Sequence, residues 1–487
     1  MTTAPAQPPL PSWLERRFHL DERGSTVRRE VWAGVTTFMV MAYIIFVNPA
    51  ILSFSGIEGL EGQGPPFDQV LVATCIAAGL MTLVMGLVTN RPFALAPGMG
   101  LNALVAYQLI LGAGLSWPEA MGVIVLEGLL ISVLVLIGLR EAVMHAIPLS
   151  LKHAIGAGIG FFILFIGLVN GGLVRVPIES APVIDGVIGG QPATPLALGA
   201  LDNLPVVVTL LGLAITVWLH VRGVRFAVLA GIALTTIAAI ALNATTGFQA
   251  FPVGATPPEA LVAAPNLEAL RLPGLRGIPG VFTTLGMLSA LLVVFSIMLT
   301  DFFDTMGTVI GVSEQMGDVD DEGRIDGLGP LLAVDSAAAA VGGALGASSV
   351  TTYIESAAGV AVGGRTGLAS VVTAMLFLLA IFLAPVAGVI PPQATAPALI
   401  LVGFLMAGAL GQVDWQEPGD ALPALLTMLV MPLTYSITNG IGAGFVTWVA
   451  IRIFQGKVKE IHPLMAISAG AFALYFALPW LQTTFNF

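Results

Sequence analysis

The chain has 487 residues, 56% hydrophobic and only 10% charged, with a mean hydropathy of +0.94 and a formal net charge of −11. Soluble domains carry roughly a quarter charged residues, so this composition excludes a soluble enzyme and places the chain among polytopic membrane proteins. The acidic balance offers no basic footprint for nucleic acid, and the single cysteine, Cys75, excludes an internal disulfide and forms no metal cluster with the five scattered histidines.

A polar leader, residues 1–30, contains Arg16, Arg17, Arg23, Arg28 and Arg29 and precedes the first apolar run. That run begins near Val31 with no small-residue cleavage site before the next span, so it reads as a retained helix, not a signal peptide. Further spans are expected near 69–89, 93–112, 118–139, 151–170, 204–219 and 224–241, then near 281–312, 328–345, 351–363, 367–389, 395–411, 421–437 and 439–455, the first covering 31–55. These runs are too long and too uniformly apolar for barrel strands of roughly ten alternating residues. The fold is therefore expected to be all-α, with fourteen segments, seven in each half. Several fall short of the roughly 20 residues that cross a bilayer, so some must be broken, tilted or enclosed by neighbours. The 57 glycines and 32 prolines point the same way. One more apolar stretch, 463–480, is either another span or a helix lying against the bundle.

Basic residues orient the spans. The leader arginines, Arg91, Arg140 with Lys152, Arg222 with Arg225, Arg365, and Arg452 with Lys457 and Lys459 all fall on one side if the amino terminus is cytoplasmic. Arg175, Arg271 and Arg276 fall opposite, in the longest loops, where that rule is weaker. The acidic loop 313–326 reads as solvated cytoplasmic chain, and 242–280, rich in Pro, Gly and Ala, as a connector on the outside.

The halves carry matching text. Residues 202–210, DNLPVVVTL, resemble 420–428, DALPALLTM, at Asp202/Asp420, Leu204/Leu422, Pro205/Pro423 and Thr209/Thr427. Ile147-Pro148 and Ile390-Pro391 are each followed by a Gly-Phe pair, Gly160-Phe161 and Gly403-Phe404. Seven spans per half, an odd number, make the second copy enter the membrane from the opposite side, giving an inverted repeat of the kind used for alternating access.

Acids in apolar surroundings carry the functional signal: Asp301 and Asp304 in the eighth span, Asp335 in the ninth, Glu355 in the tenth and Glu127 in the fourth. Intramembrane acids commonly line a pathway or bind a proton, ion or substrate; the alternative for each is a helix cap or an internal hydrogen bond. Around Glu355, SSVTTYIES predicts an extended approach over 348–353 to a half-helix beginning near Ile354, too short to span alone. Its counterpart in the first half is 91–107, where Pro92, Pro97, Gly98 and Gly100 interrupt the helix and Asn102 offers both a donor and an acceptor. Two interrupted segments, one per half, are the expected sign of a central site, unless both are ordinary kinks. Carboxylates that accept N–H donors, a carboxamide and aromatic rings suit a flat neutral heterocycle, with Phe93, Phe302, Phe303 and Tyr353 as stacking partners or, alternatively, core and lipid contacts. An inorganic anion would ask for basic groups.

Residues 29–53, FALAPGMGLNA at 93–103, DFFDTMGTVIGV at 301–312 and TTYIESAAGV at 351–360 resemble the signature segments of the AzgA-like hypoxanthine/guanine permeases of the nucleobase cation symporter family. The resemblance implies a core domain built from 31–139 and 281–389, a gate domain from 140–241 and 390–455, short strands before segments 3 and 10, and 456–487 as a carboxyl-terminal hydrophobic segment. It also implies proton-coupled purine uptake at a multi-pass cell membrane protein, the proton being the coupling ion and no cofactor being needed. Substrate recognition falls on Asp304, Glu355 and Asn102, with Asp301, Asp304 and Glu355 as proton-coupling residues. A homodimer through the gate domains and lipid as the surrounding partner complete the expectation. The uracil and xanthine branches usually place glutamate then histidine where this chain has Asp304-Thr305, so their preference is not transferred; His145, His153 and His220 fall near membrane boundaries, leaving no histidine in segments 8–10. The rivals are a transporter of the same architecture for xanthine, uracil or an anion, and a non-transporting membrane receptor.

Overall fold

The computed structural model describes residues 12–57, 59–60, 62–138, 146–177, 183–184, 187–188, 194–251, 253–318, 325 and 327–485. Arg140 and His145, and 319–324 of the acidic loop, lie outside the described residues.

The leader is more than solvated chain. It contains a helix, α1 (Ser12–Phe18), after which Phe18 and Leu20 are buried together with Leu368. α2 (Val27–Met41) then starts earlier than the hydropathy suggested, because Thr26 caps it, its hydroxyl accepting from the Arg29 N–H. The first span unwinds at Ala42–Tyr43 before resuming as α3 (Ile44–Leu52), which carries Pro49 inside it. A proline removes an N–H and crowds the carbonyl four residues back, so a break one turn earlier is where strain is relieved.

α4 (Phe67–Thr89) leads to a short strand, β1 (Leu95–Pro97), and a half-helix, α5 (Met99–Ala103), which continues as a π-helix over Leu104–Gly112. α6 (Trp117–Leu136) opens on a capping box in which Ser116 and Glu119 satisfy each other's end groups. α7 (Leu149–Asn170), α8 (Leu204–Val221) and α9 (Ala227–Ala244) complete the first half.

In the second half the expected eighth span, 281–312, proves to be two helices. α10 (Pro273–Leu285) packs along α6 and stops at Gly286, whose φ of 75° only glycine adopts readily; α11 (Met287–Met316) begins immediately after it. α12 (Leu328–Leu345) ends on Gly346 at φ 83° and leads to β2 (Val350–Thr352) and a second half-helix, α13 (Ser356–Ala361). That half-helix starts two residues later than expected, Ile354 and Glu355 forming a turn before it. α14 (Gly367–Leu379), α15 (Pro392–Met406), α16 (Pro418–Leu433) and α17 (Ile437–Phe454) follow, and α18 (Pro463–Phe485) lies against α17 and α11.

Among the described residues, eleven helical stretches are long and apolar enough to cross a membrane. With the half-helices α5 and α13 and the shorter α16 they make the fourteen segments of a multi-pass membrane protein built as a seven-plus-seven inverted repeat. Apolar side chains such as Leu136, Ile237 and Phe454 stand exposed on the perimeter, where a bilayer receives them. Packing sorts the helices into two groups: α2, α4, α6, α10, α12 and α14 pack on one another, and α7, α8, α9, α15, α16 and α17 do likewise. Cys75 is buried within α4.

β1 and β2 pair antiparallel, Leu95 opposite Thr352, Ala96 opposite Thr351 and Pro97 opposite Val350. Non-helical backbone inside a membrane survives only when its polar groups find partners within the protein. Here they do. The Gly98 N–H donates to the Ser349 carbonyl at 2.9 Å, the Tyr353 N–H to the Ala94 carbonyl at 3.0 Å, and the Ala94 N–H to Ser356 Oγ at 3.0 Å. Thr82 Oγ1 both accepts from the Leu95 N–H, at 2.8 Å, and donates to the Leu95 carbonyl, at 3.1 Å.

Candidate functional site

Each strand delivers the chain into a half-helix whose first N–H groups have no intrahelical acceptor. At this junction a cavity of about 80 Å³ is lined by Tyr43, Gly98, Gly100, Asp304, Tyr353 and Glu355, among others. A larger one, about 600 Å³, shares Tyr43, Asp304 and Glu355 with it and adds Phe303, then runs along the boundary between the two helix groups to His220, Arg225 and Gln412. His220 and Arg225 lie at the α8–α9 turn, on the side of the molecule where Arg91 and Arg365 also sit and where α2 begins. The acids are thus reached from that near side.

Of the side chains singled out in the sequence, the structure brings Asp304, Glu355, Tyr353 and Phe303 to these walls. Five others are placed elsewhere. Phe93 is fully buried behind β1, its carbonyl accepting from Ser370 Oγ at 2.7 Å. Asn102 is fully enclosed in α5 with neither amide atom hydrogen-bonded. Asp301 is also fully buried, one turn before Asp304 on α11, and accepts from Ser349 Oγ at 3.3 Å. Phe302, edge-on to Phe303 with centroids 5.2 Å apart, is buried too, and Glu127 is enclosed in α6.

Two residues matter more than the sequence disclosed. Tyr43 stands at the break in the first span, and its hydroxyl donates to Glu355 Oε1 at 2.7 Å. Pro49 signalled a break, but nothing in the text MAYIIFVNP said which residue would face the site. Asp335, on α12, underpins β2: its Oδ2 accepts from Thr305 Oγ1 at 2.7 Å and its Oδ1 from the Thr352 N–H at 2.9 Å, while Thr351 Oγ1 lies 3.4 Å from the same Oδ1 and 2.8 Å from Thr305 Oγ1. Thr308, one helical turn beyond Asp304, also lines the site; that i, i+4 spacing was legible.

The glycines of the first half are required by close approach. A Cβ on Gly98 would sit 3.0 Å from Thr351 Cγ2 and 3.3 Å from Asp304 Oδ2, and one on Gly100 would sit 2.8 Å from Ile159 Cγ2. The site therefore has bare backbone on one side and two carboxylates, a phenol and ring faces on the other. No lysine or arginine lines the smaller cavity among the described residues. Such a wall accepts N–H donors and stacks a planar ring, and it offers an anion no counter-charge.

A second ionic locus is structural. Glu30 is fully buried at the near-side start of α2, where its carboxylate accepts from Ser25 Oγ, from the Arg365 N–H at 2.9 Å and from the Thr366 N–H at 3.3 Å. It ties α2 to the beginning of α14. In the other helix group, Arg452 pairs with Asp420 at 3.0 Å and lies over the Trp448 ring, whose N–H also donates to Asp420.

Comparison with known proteins identifies the family. Residues 28–443 match the family model Xan_ur_permease, described as the Permease family, and the chain belongs to that family. The guanine/hypoxanthine permease PbuG of Bacillus subtilis is 38% identical over 461 residues, covering 94% of this chain and 98% of that protein. The adenine permease AdeP of Escherichia coli is 39% identical, covering 95% of each. Among solved structures, the transmembrane domain of a cyanobacterial bicarbonate transporter, BicA, shares the fold with a TM-score of 0.56 at 16% identity, covering 86% of this chain and 97% of that one. SLC26A9 aligns with a TM-score of 0.55 at 13% identity, covering 91% and 67%.

Proposed function

We propose that this member of the Permease family is a secondary active transporter of purine nucleobases, guanine, hypoxanthine or adenine, driven by protons across a cell membrane with the amino terminus inside. The observation that carries the reading is the junction of the two half-helices, where Asp304 and Glu355 face a common cavity beside Tyr353 and bare glycine backbone. The purine permeases PbuG and AdeP, similar over nearly the whole chain, supply the substrate class.

The recognition chemistry follows from the donor set. Purine ring N–H and exocyclic N–H groups donate to the Glu355 and Asp304 carboxylates, while the first N–H groups of α5 meet acceptor atoms on the ring. Tyr43 holds one Glu355 oxygen, so the other is presented in a fixed direction. Tyr353 is fixed in turn by its hydroxyl donating to the Pro97 carbonyl. Protonation from outside, base binding, movement of the α2–α6 and α10–α14 group relative to the α7–α9 and α15–α17 group, and inward release of base and proton complete one cycle. Intramembrane acids are the groups such a cycle uses to carry the proton.

The test is uptake of radiolabelled hypoxanthine by the purified protein in proteoliposomes, with guanine, adenine, xanthine and uracil as competitors and an imposed proton gradient. Purine-selective accumulation that collapses with the gradient is expected. Flux unaffected by purines would overturn the substrate; accumulation indifferent to the gradient would overturn the coupling alone. Glu355→Gln and Asp304→Asn are each expected to abolish hypoxanthine binding at this central cavity.

A further inference from the structure

A second cavity lies on the opposite, far side of the boundary between the helix groups. It measures about 430 Å³, within the range of small-molecule pockets, and its walls include Tyr107, Gln108, Tyr435, Ser436, Asn439 and Tyr475. Tyr107 and Gln108 come from the π-helical end of segment 3, the 434–439 residues from the turn between α16 and α17, and Tyr475 from α18.

A ring cluster stands at its inner edge. Tyr435 packs edge-on to Tyr107 at 5.3 Å, to Phe165 at 5.5 Å and to Phe162 at 5.8 Å, and Tyr107 packs on Phe54 at 6.0 Å. Phe162 and Phe165 stand on α7 beside and beyond Ile163, which lines the central site, toward the end of the helix where the second cavity opens. Hydrogen bonds reinforce the closure: Gln108 Nε2 donates to Thr438 Oγ1 at 2.9 Å, Ser436 Oγ donates to Gln108 Oε1 at 2.9 Å, and Ser296 Oγ donates to Thr438 Oγ1 at 2.8 Å. Tyr435 itself adopts φ 50°, a left-handed conformation uncommon for a bulky residue, and π-helical turns such as that over Leu104–Gly112 recur at functional sites.

The lining chemistry selects a ligand class. Among the described residues it combines three phenol rings, two carboxamides and two hydroxyls with no charged side chain. An ion finds no counter-charge there, and an acyl chain would bring the Asn439 carbonyl no donor. A neutral planar heterocycle finds ring faces to stack on and, in Asn439, an amide that spends one N–H on Thr434 Oγ1 at 3.2 Å and keeps its carbonyl for a ligand N–H.

We propose that this cavity is a capture site where a purine base arriving from the far side docks against Tyr107, Tyr435 and Asn439 before the ring cluster parts and admits it to Glu355. The proposal rests on the purine-transport reading and adds to it a second place for the base. Equilibrium binding of radiolabelled hypoxanthine to the purified full chain is expected to show two classes of site. Glu355→Gln removes the tighter class and keeps the weaker. Asn439→Ala, and separately Tyr475→Ala on the helix outside the repeats, keep the tighter class and lose the weaker. Both raise KM for uptake from the far side by about tenfold with kcat unchanged, and leave KM for transport from the near side unaltered. A single class abolished entirely by Glu355→Gln, or an unchanged far-side KM in both the Asn439 and Tyr475 variants, would overturn the capture site and leave the transport reading standing. Absence of any hypoxanthine binding by the unmodified protein would remove both.

Discussion

Asp335 provides the sharpest test of how the site is held, because alanine and asparagine should act differently there. Its carboxylate is fully buried and accepts from Thr305 on α11 and from the Thr352 N–H on β2. Alanine leaves the Thr352 N–H enclosed without that acceptor, at about 1–3 kcal/mol, and removes the carboxylate that accepts from the Thr305 hydroxyl, a bond of a kind that contributes about 1.5–3 kcal/mol. Because the Thr305 hydroxyl can turn to Thr351 instead, the net cost is about 3 kcal/mol. Asparagine keeps a carbonyl oxygen for the Thr352 N–H. Its amide can donate to Thr305 Oγ1 if the Thr305–Thr351 hydroxyl pair, 2.8 Å apart, reverses direction, so its cost should stay below about 1 kcal/mol. If β2 shifts, the binding-competent state is depopulated by the same free energy, and about 3 kcal/mol raises the apparent hypoxanthine Kd by about two orders of magnitude. Equilibrium binding to purified Asp335→Ala and Asp335→Asn, with thermal unfolding in the same detergent, measures both effects. An asparagine variant as impaired as the alanine one would show that the negative charge, not the acceptor geometry, is what the site needs, and would refute this account.

Tyr43→Phe removes the 2.7 Å bond to Glu355 and should weaken purine binding about tenfold, since a hydrogen bond to a charged group contributes about 1.5 kcal/mol or more. In a Glu355→Gln background the same change should add little to any residual substrate interaction measured by competition; additive effects would separate the two residues. Gly98→Ala places a methyl 3.3 Å from Asp304 Oδ2 and should raise KM with the fold intact, as judged by unchanged melting. Gly160→Ala and Gly403→Ala each force a methyl against backbone across the α7–α15 crossing and should each destabilise by about 1–3 kcal/mol. The double variant should melt above the additive expectation, because helices already pushed apart admit the second methyl; strict additivity would place the glycines in separate contacts.

Much of the architecture was legible because a bilayer leaves helices few alternatives. Run length located the segments, and prolines with glycines located the breaks. What hydropathy could not see were boundaries set by single residues inside uniformly apolar text: Gly286 divides α10 from α11, and Thr26 starts α2 four residues early. In the site, the unpaired charges of Asp304 and Glu355 announced themselves against an apolar background. Tyr43 did not, because a phenol in a membrane helix resembles any packed aromatic until a tertiary partner is known. Asn102 and Phe93 lay on the correct interrupted segment, but sequence gives no phase for a helix that changes from α to π within fourteen residues, so their direction was not readable.

The weak internal repeat gains a physical meaning from contacts between equivalent positions. Under a two-fold relation, residues that meet their own counterparts lie on the axis. Gly160 and Gly403, paired by sequence alone, do meet: a Cβ on the first would lie 2.7 Å from the carbonyl oxygen of the second. The strands obey the same relation about the central pair Ala96–Thr351, with Gly98 bonded to Ser349 and Tyr353 bonded to Ala94 as its two symmetric arms. Counting outward from that pair, Gly98 corresponds to Tyr353 and Gly100 to Glu355. Both members of each pair line the central cavity. At these two positions the second half contributes a side chain and the first half contributes none, and the volume released on one side of the dyad is open space against the side chains of the other. Symmetry of the backbone brings two half-helices together; its violation in the side chains makes the space between them a site with a polar wall and a bare one.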